Sequence, residues 1–163
     1  VMEHEEWKNI YQLYKKSLFL YALSLTKNVQ DAEDLLQETF VKAFLSYKNT
    51  GSIKYWLVTV LKNEYLNLLK KRKREISNAE KEQPSVSSKD DMIEQIICQE
   101  ERRRLFQAIQ ELPLMQREIL MESVYFHLPD ETIAKMHGIT KENVRKIRSR
   151  AKQKLITQLK EEV

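Results

Sequence analysis

Glycine and proline are scarce in this chain. Its 163 residues hold 2 glycines and 3 prolines, so long stretches run without a breaker. That excludes a sandwich or barrel, which need frequent turns, and argues for an almost entirely helical protein. It also excludes a Rossmann or P-loop site, because no glycine cluster exists to cradle a phosphate. The single cysteine, Cys98, excludes an intramolecular disulfide and a cysteine-based zinc site. It reads as a small apolar helix residue, with a reactive thiol as the alternative. No apolar run approaches membrane-spanning length, and the opening VMEHEEW is acidic where a signal peptide is basic. A cytoplasmic protein is expected.

The chain does carry charge, unevenly spread. The net formal charge is only +4, but DAEDLLQE (residues 31–38) has four acids and no base. KKRKR (residues 70–74) has five bases in a row, and residues 141–154 have seven bases against one acid, Glu142. Two separated basic clusters and one acidic helix face point to two nucleic-acid contacts and a separate protein contact. For KKRKR alone, a solvated helix face is an equal alternative.

Residues 80–91, EKEQPSVSSKDD, lose the apolar period and contain Pro84 and three serines. They read as a flexible linker. The expected division is a first domain over residues 1–76, a linker over 77–93 and a second domain over 94–163. Before the linker, apolar residues recur at helical spacing from Trp7 to Leu25, from Ala32 to Phe44 and from Trp56 to Leu69, with a break at Asn28 and a loop at YKNTGSIK. Asp31 or a neighbour is expected to open the second of these helices. After the linker, IEQIICQEERRRLFQAIQEL reads as one helix. Pro113 opens LMQREILMESVYF, Pro129 with Asp130 opens the next helix, and Gly138 closes it.

Residues 128–155, LPDETIAKMHGITKENVRKIRSRAKQKL, therefore hold a short helix, a glycine turn and a second helix that is basic outside, the plan of a helix-turn-helix. Thr140 is the expected N-cap of the second helix. Val144, Ile147, Ala151 and Leu155 share a face suited to packing on the first helix. Thr140, Lys141, Arg145, Lys146, Ser149, Arg150 and Lys152 make up the expected DNA-facing set, where Arg and Lys can meet guanine edges or phosphates. A helical hairpin with a solvated face is the alternative.

At these residues the sequence resembles a known family. LPLMQREIL followed by HLPDETIAKMHGITKENVRKIRSRAKQKL is similar to the promoter-reading domain of extracytoplasmic-function (ECF) sigma factors, in the sigma-70 family. QDAEDLLQETFVKAF resembles that family's polymerase-binding helix, and SIKYWLVTVLKNEYLNLLKKRKR its −10-reading and melting helix. The resemblance covers nearly the whole chain, in order. It implies an all-α fold of two small domains joined by a flexible linker, the second containing a helix-turn-helix that reads the −35 element. It implies core RNA polymerase, promoter DNA and an anti-sigma factor as partners. Polymerase contacts are implied at Asp34, Leu35, Gln37, Glu38 and Phe40, with Leu35 and Phe40 partly core. Contacts to the −10 element are implied at Asn49, Gly51, Ser52, Ile53, Lys54 and Asn63, the loop before Trp56 capturing a flipped-out base. Trp56 itself is a stacking platform or, at this spacing, core.

The chain departs from the family's pattern in places. Pro129 replaces a capping serine, so the helix is expected to begin near Asp130. His137 replaces a leucine beside the turn glycine and is expected at a half-exposed edge. Ile147 then Arg148 reverse the usual arginine–aliphatic order, which favours Arg145 and Lys146 over Arg148 as base contacts. His4, His127 and His137 are dispersed and no nucleophile motif is present; no enzyme activity, metal or cofactor is expected. Two other functions fit parts of the chain. A dimeric helix-turn-helix regulator would leave the acidic helix without a role, and a helical interaction module would have no DNA affinity.

Overall fold

The structure, a computed structural model, describes residues 3–47, 51–76 and 100–161. Among them are seven helices and no strand. The chain divides into two compact units, Val1–Lys89 and Asp90–Val163. Residues 77–93, expected as the linker, lie outside the described residues.

The first unit is three long helices. α1 (His4–Thr26) buries every residue from 18 to 25, seven of them apolar. A helix buried all round is the centre of its unit, not a surface element. α1 ends at Lys27, whose left-handed backbone (φ 53°) returns its N–H to the Leu23 carbonyl at 2.8 Å. α2 (Val29–Ser46) begins at once. The Asn28 carboxamide accepts the Asp31 N–H at 3.0 Å, satisfying one of the donors that a helix start leaves unpaired. The sequence break at Asn28 is thus a cap, and the helix opens two residues before Asp31. α2 lays Phe40 edge-on against Trp7 (5.4 Å) and Tyr11 (4.8 Å) of α1, a geometry that adds to simple area burial. α3 (Ile53–Ile76) crosses α2 and is tied to it by Lys42–Glu64 and by Arg72 Nη2 to Asp31 Oδ1 at 2.6 Å.

The second unit uses shorter helices: α4 (Glu100–Gln110), α5 (Leu114–Val124), α6 (Asp130–His137) and α7 (Lys141–Glu161). Pro113 stands just before α5, and its carbonyl takes the Arg117 N–H at 2.9 Å. α5 stops at Val124, short of the expected Phe126, which instead joins the core with Phe106, Ile119 and Ile133. Arg117 is buried and donates Nη1 to the carbonyls of Gln110 (2.9 Å) and Leu112 (3.2 Å), closing the end of α4. No described helix is long and apolar enough to cross a membrane.

Candidate nucleic-acid interface

The turn between α6 and α7 is built from three residues. Gly138 takes φ +66°, a left-handed conformation that costs an L-residue strain even though no atom lies near enough to meet an added β-carbon. Its N–H turns back to Lys135, and the Ile139 N–H reaches the Ala134 carbonyl at 3.0 Å, which closes α6 in the Schellman manner. Thr140 then caps α7: its Oγ1 accepts the Asn143 N–H at 3.1 Å. Val144, Ala151 and Leu155 are buried, and Ile147 is half-buried beside them. α7 is thereby mounted with its basic face outward.

The acids that open α6 meet one flank of that face. Lys141 pairs with Glu131. Asp130 receives Arg148 through both terminal nitrogens, to Oδ1 and, at 3.2 Å, to Oδ2; it also receives Arg145 Nε at 3.3 Å. Arg148 Nη1 further reaches Ser123 Oγ at 3.3 Å, joining α5 to the cluster. The hydrogen bonds from Arg148 hold the Asp130 carboxyl below its ordinary pKa, while burial works in the opposite direction. The same bond raises Arg148. Arg148 is thus turned back into the unit, filling the place where an aliphatic side chain would pack. Lys146, Ser149, Arg150 and Lys152 are exposed, and none makes a side-chain hydrogen bond or ion pair among the described residues. Of the expected DNA-facing set, these four are the exposed residues without such a partner. Arg145 and Lys141 stand on the acid-bordered flank, and the Thr140 hydroxyl is occupied by the cap.

In the first unit, Asn49 lies outside the described residues. Gly51 (φ +98°) and Ser52 are exposed, Ile53 and Lys54 half-buried, and Asn63 exposed on α3. Ser52 Oγ accepts the Tyr55 N–H at 3.3 Å and so begins α3. Tyr47, which the sequence reading passed over, closes this loop. Its hydroxyl donates to the Gly51 carbonyl at 2.9 Å and its ring meets Trp56 edge-on at 5.6 Å. Trp56 is half-buried, which makes it a wall of the loop.

On α2, Asp34, Gln37 and Glu38 are exposed and share a stripe with exposed Val41 and Leu45. Leu35 and Phe40 are fully in the core, Phe40 under Trp7 and Tyr11, so the surface part of the expected polymerase set narrows to the three polar residues. Asp31, the first acid of the run, is buried in its pair with Arg72.

His137 differs from expectation. Its side chain is 3% exposed, with Nε2 at 2.6 Å from Glu122 Oε1 and Nδ1 at 3.7 Å from Glu118 Oε2. The two glutamates, four apart on α5, form a slot that swallows the ring, which is why the edge position is not half-open. The signal was present in the sequence: two acids at i and i+4, beside the apolar Ile119, Leu120 and Met121.

Two family patterns match the chain: Sigma-70 region 2 over residues 10–75 and Sigma-70, region 4 over residues 102–155. The ECF RNA polymerase sigma factor SigM of Bacillus subtilis is 39% identical over 71 residues, 42% of this chain and 43% of SigM. The ECF RNA polymerase sigma factor EcfG of Rhodopseudomonas palustris is 36% identical over 67 residues, 39% of this chain and 37% of EcfG. The chain spans less than half the length of the curated relatives it matches. Among solved structures, the sigma factor RpoE, in complex with the anti-sigma factor NepR from Bartonella quintana, superposes with a TM-score of 0.71 at 25% identity, over 96% of this chain and 98% of that one. CnrH, in complex with the cytosolic domain of CnrY, shares the fold with a TM-score of 0.63 at 16% identity, over 99% of this chain and 92% of that one.

Proposed function

Because the chain belongs to the sigma-70 family, we propose that it acts as an ECF sigma factor, joining core RNA polymerase and directing it to a class of promoters. The first domain (residues 1–76) binds polymerase through Asp34, Gln37 and Glu38 and opens the −10 element. Asn49, Gly51, Ser52, Ile53 and Lys54 take a flipped-out base, and Asn63 meets the displaced strand. A base pocket at the start of α3 offsets part of the unstacking cost. The second domain (residues 94–163) lays α7 in the major groove of the −35 element, Lys146 and Arg145 toward base edges, Arg150 and Lys152 toward phosphate. Residues 77–93 join the two domains. Polymerase supplies the phosphodiester chemistry, so the chain itself needs no catalytic group. It works in the cytoplasm and binds an anti-sigma partner, as RpoE does in its complex with NepR.

The observation that carries this reading is an order: an exposed acidic stripe on one unit, then an outward basic face on a glycine-turned helix pair in the next, each inside its matching family region. Run-off transcription with core polymerase on genomic fragments tests it. Discrete start sites sharing −35 and −10 sequences are expected; initiation no different from core polymerase alone would reject the reading.

A further inference from the structure

The two arginines that meet at Asp130 are held in different ways. Arg148 commits both terminal nitrogens, to Asp130 and Ser123, and its side chain is 20% exposed. Three of its five N–H groups are thereby used, on a side chain that is mostly buried. Arg145 gives Asp130 only its Nε, at 3.3 Å, and its side chain is 61% exposed. Its two terminal nitrogens have no partner among the described residues.

A guanidinium is planar, so a carboxylate that takes Nε biases the side chain toward orientations in which the terminal fork points away. That fork is the edge that takes two parallel acceptors, such as O6 and N7 of guanine. Biasing it beforehand reduces the rotamer freedom lost on binding. Asp130 in turn is fixed, because the bidentate bond to Arg148 prevents its carboxylate from rotating toward solvent.

We propose that Asp130 is a positioning residue for promoter reading: it holds Arg145 by Nε so that the free fork meets a guanine in the −35 element, while Arg148 serves as its anchor. This rests on the reading of α7 as the −35 helix. Asp130 stands on a different helix from the residues it directs and is itself an acid beside DNA, which a count of basic residues would discard.

The test uses the full chain with core polymerase on a promoter found by run-off transcription. Each −35 base pair is replaced in turn. The wild type discriminates at one G·C pair, and Arg145→Ala removes that discrimination. Asp130→Ala alone lowers it about tenfold, and adds nothing in the Arg145→Ala background. Asp130→Glu recovers part of it. Affinity for the promoter lacking that G·C pair stays at the wild-type level in Asp130→Ala, which separates positioning from folding. Equal losses on both promoters would mean that Asp130 acts only through stability, and would overturn the inference. So would a uniform gain in affinity, the mark of plain repulsion between Asp130 and phosphate, or an Arg145→Ala loss that ignores sequence, the mark of a phosphate contact. A wild-type holoenzyme with no promoter preference would overturn the underlying reading as well.

Discussion

The two units solve the same problem, packing amphipathic helices, with different materials. The first is organised by shape. An all-round apolar stretch of α1 and the Trp7–Phe40–Tyr11 cluster make its interior, and its ion pairs tie α2 to α3. The second buries Arg117, Glu118 and Glu122, and folds the His137 ring among them. Apolar contact is non-directional, whereas a hydrogen-bonded ion pair has one good geometry. The unit with the glycine-turned helix pair is the one that buries more of these directional contacts. The difference should appear wherever the two units can be perturbed separately and followed by amide exchange over α1–α3 and over α4–α7.

The largest effect should come from the aromatic cluster. Phe40→Ala empties the space under Trp7 and Tyr11 and should cost the first unit about 3–5 kcal/mol, with exchange in the second unit unchanged. A loss below about 1 kcal/mol would mean that the first unit is not organised by shape in the way described. Next is the buried pair. His137→Ala strips a partner from the fully buried Glu122 carboxylate and should cost the second unit about 3 kcal/mol, sparing the first. A neutral result there would remove the main contrast between the units.

The acid response is smaller. Asp130 has a folded pKa below the ordinary value of about 3.9. Its contribution is therefore complete above that ordinary value and is lost as pH falls through the lower folded one. The Asp130–Arg148 clamp is partly exposed, so less than about 1 kcal/mol should be at stake. Asp130→Asn should flatten the second unit's stability curve below about pH 4; an unchanged curve would show the clamp to be idle. Smallest in stability is the surface stripe of the first unit. Asp34→Lys with Glu38→Lys should change its stability by no more than about 0.5 kcal/mol while sharply weakening capture of core polymerase in a pull-down. Undiminished capture would sink the assignment of that stripe.

The helices and the glycine turn were legible because their signals are local: apolar spacing, a break at Asn28, the Thr140 cap, Gly138 where the backbone must reverse. What could not be read was which side chain faces which. His137 reads as an edge residue until α5 brings Glu118 and Glu122 over it. Leu35 and Phe40 read as partly surface until α1 covers them. Arg148 reads as one more cation until Asp130, 18 positions away, is seen to hold it. Each depends on how one helix leans on another, and periodicity along a single helix carries no trace of that. The Glu118/Glu122 spacing was a fair warning, since two acids one turn apart on a buried helix face need a partner.

The flank of acids along α7 has a consequence for ions in solution. Affinity for a polyelectrolyte follows the number of small cations set free, and each phosphate neutralised contributes about −0.9 to the slope of log K against log salt. A tally of bases over residues 141–154 would count seven, but Lys141, Arg145 and Arg148 already share the two carboxylates of Asp130 and Glu131. Lys146, Arg150, Lys152 and Lys154 remain to displace sodium or potassium from a phosphate. The helix should therefore lose its hold on DNA less steeply, as a cell's ionic strength rises, than its composition implies.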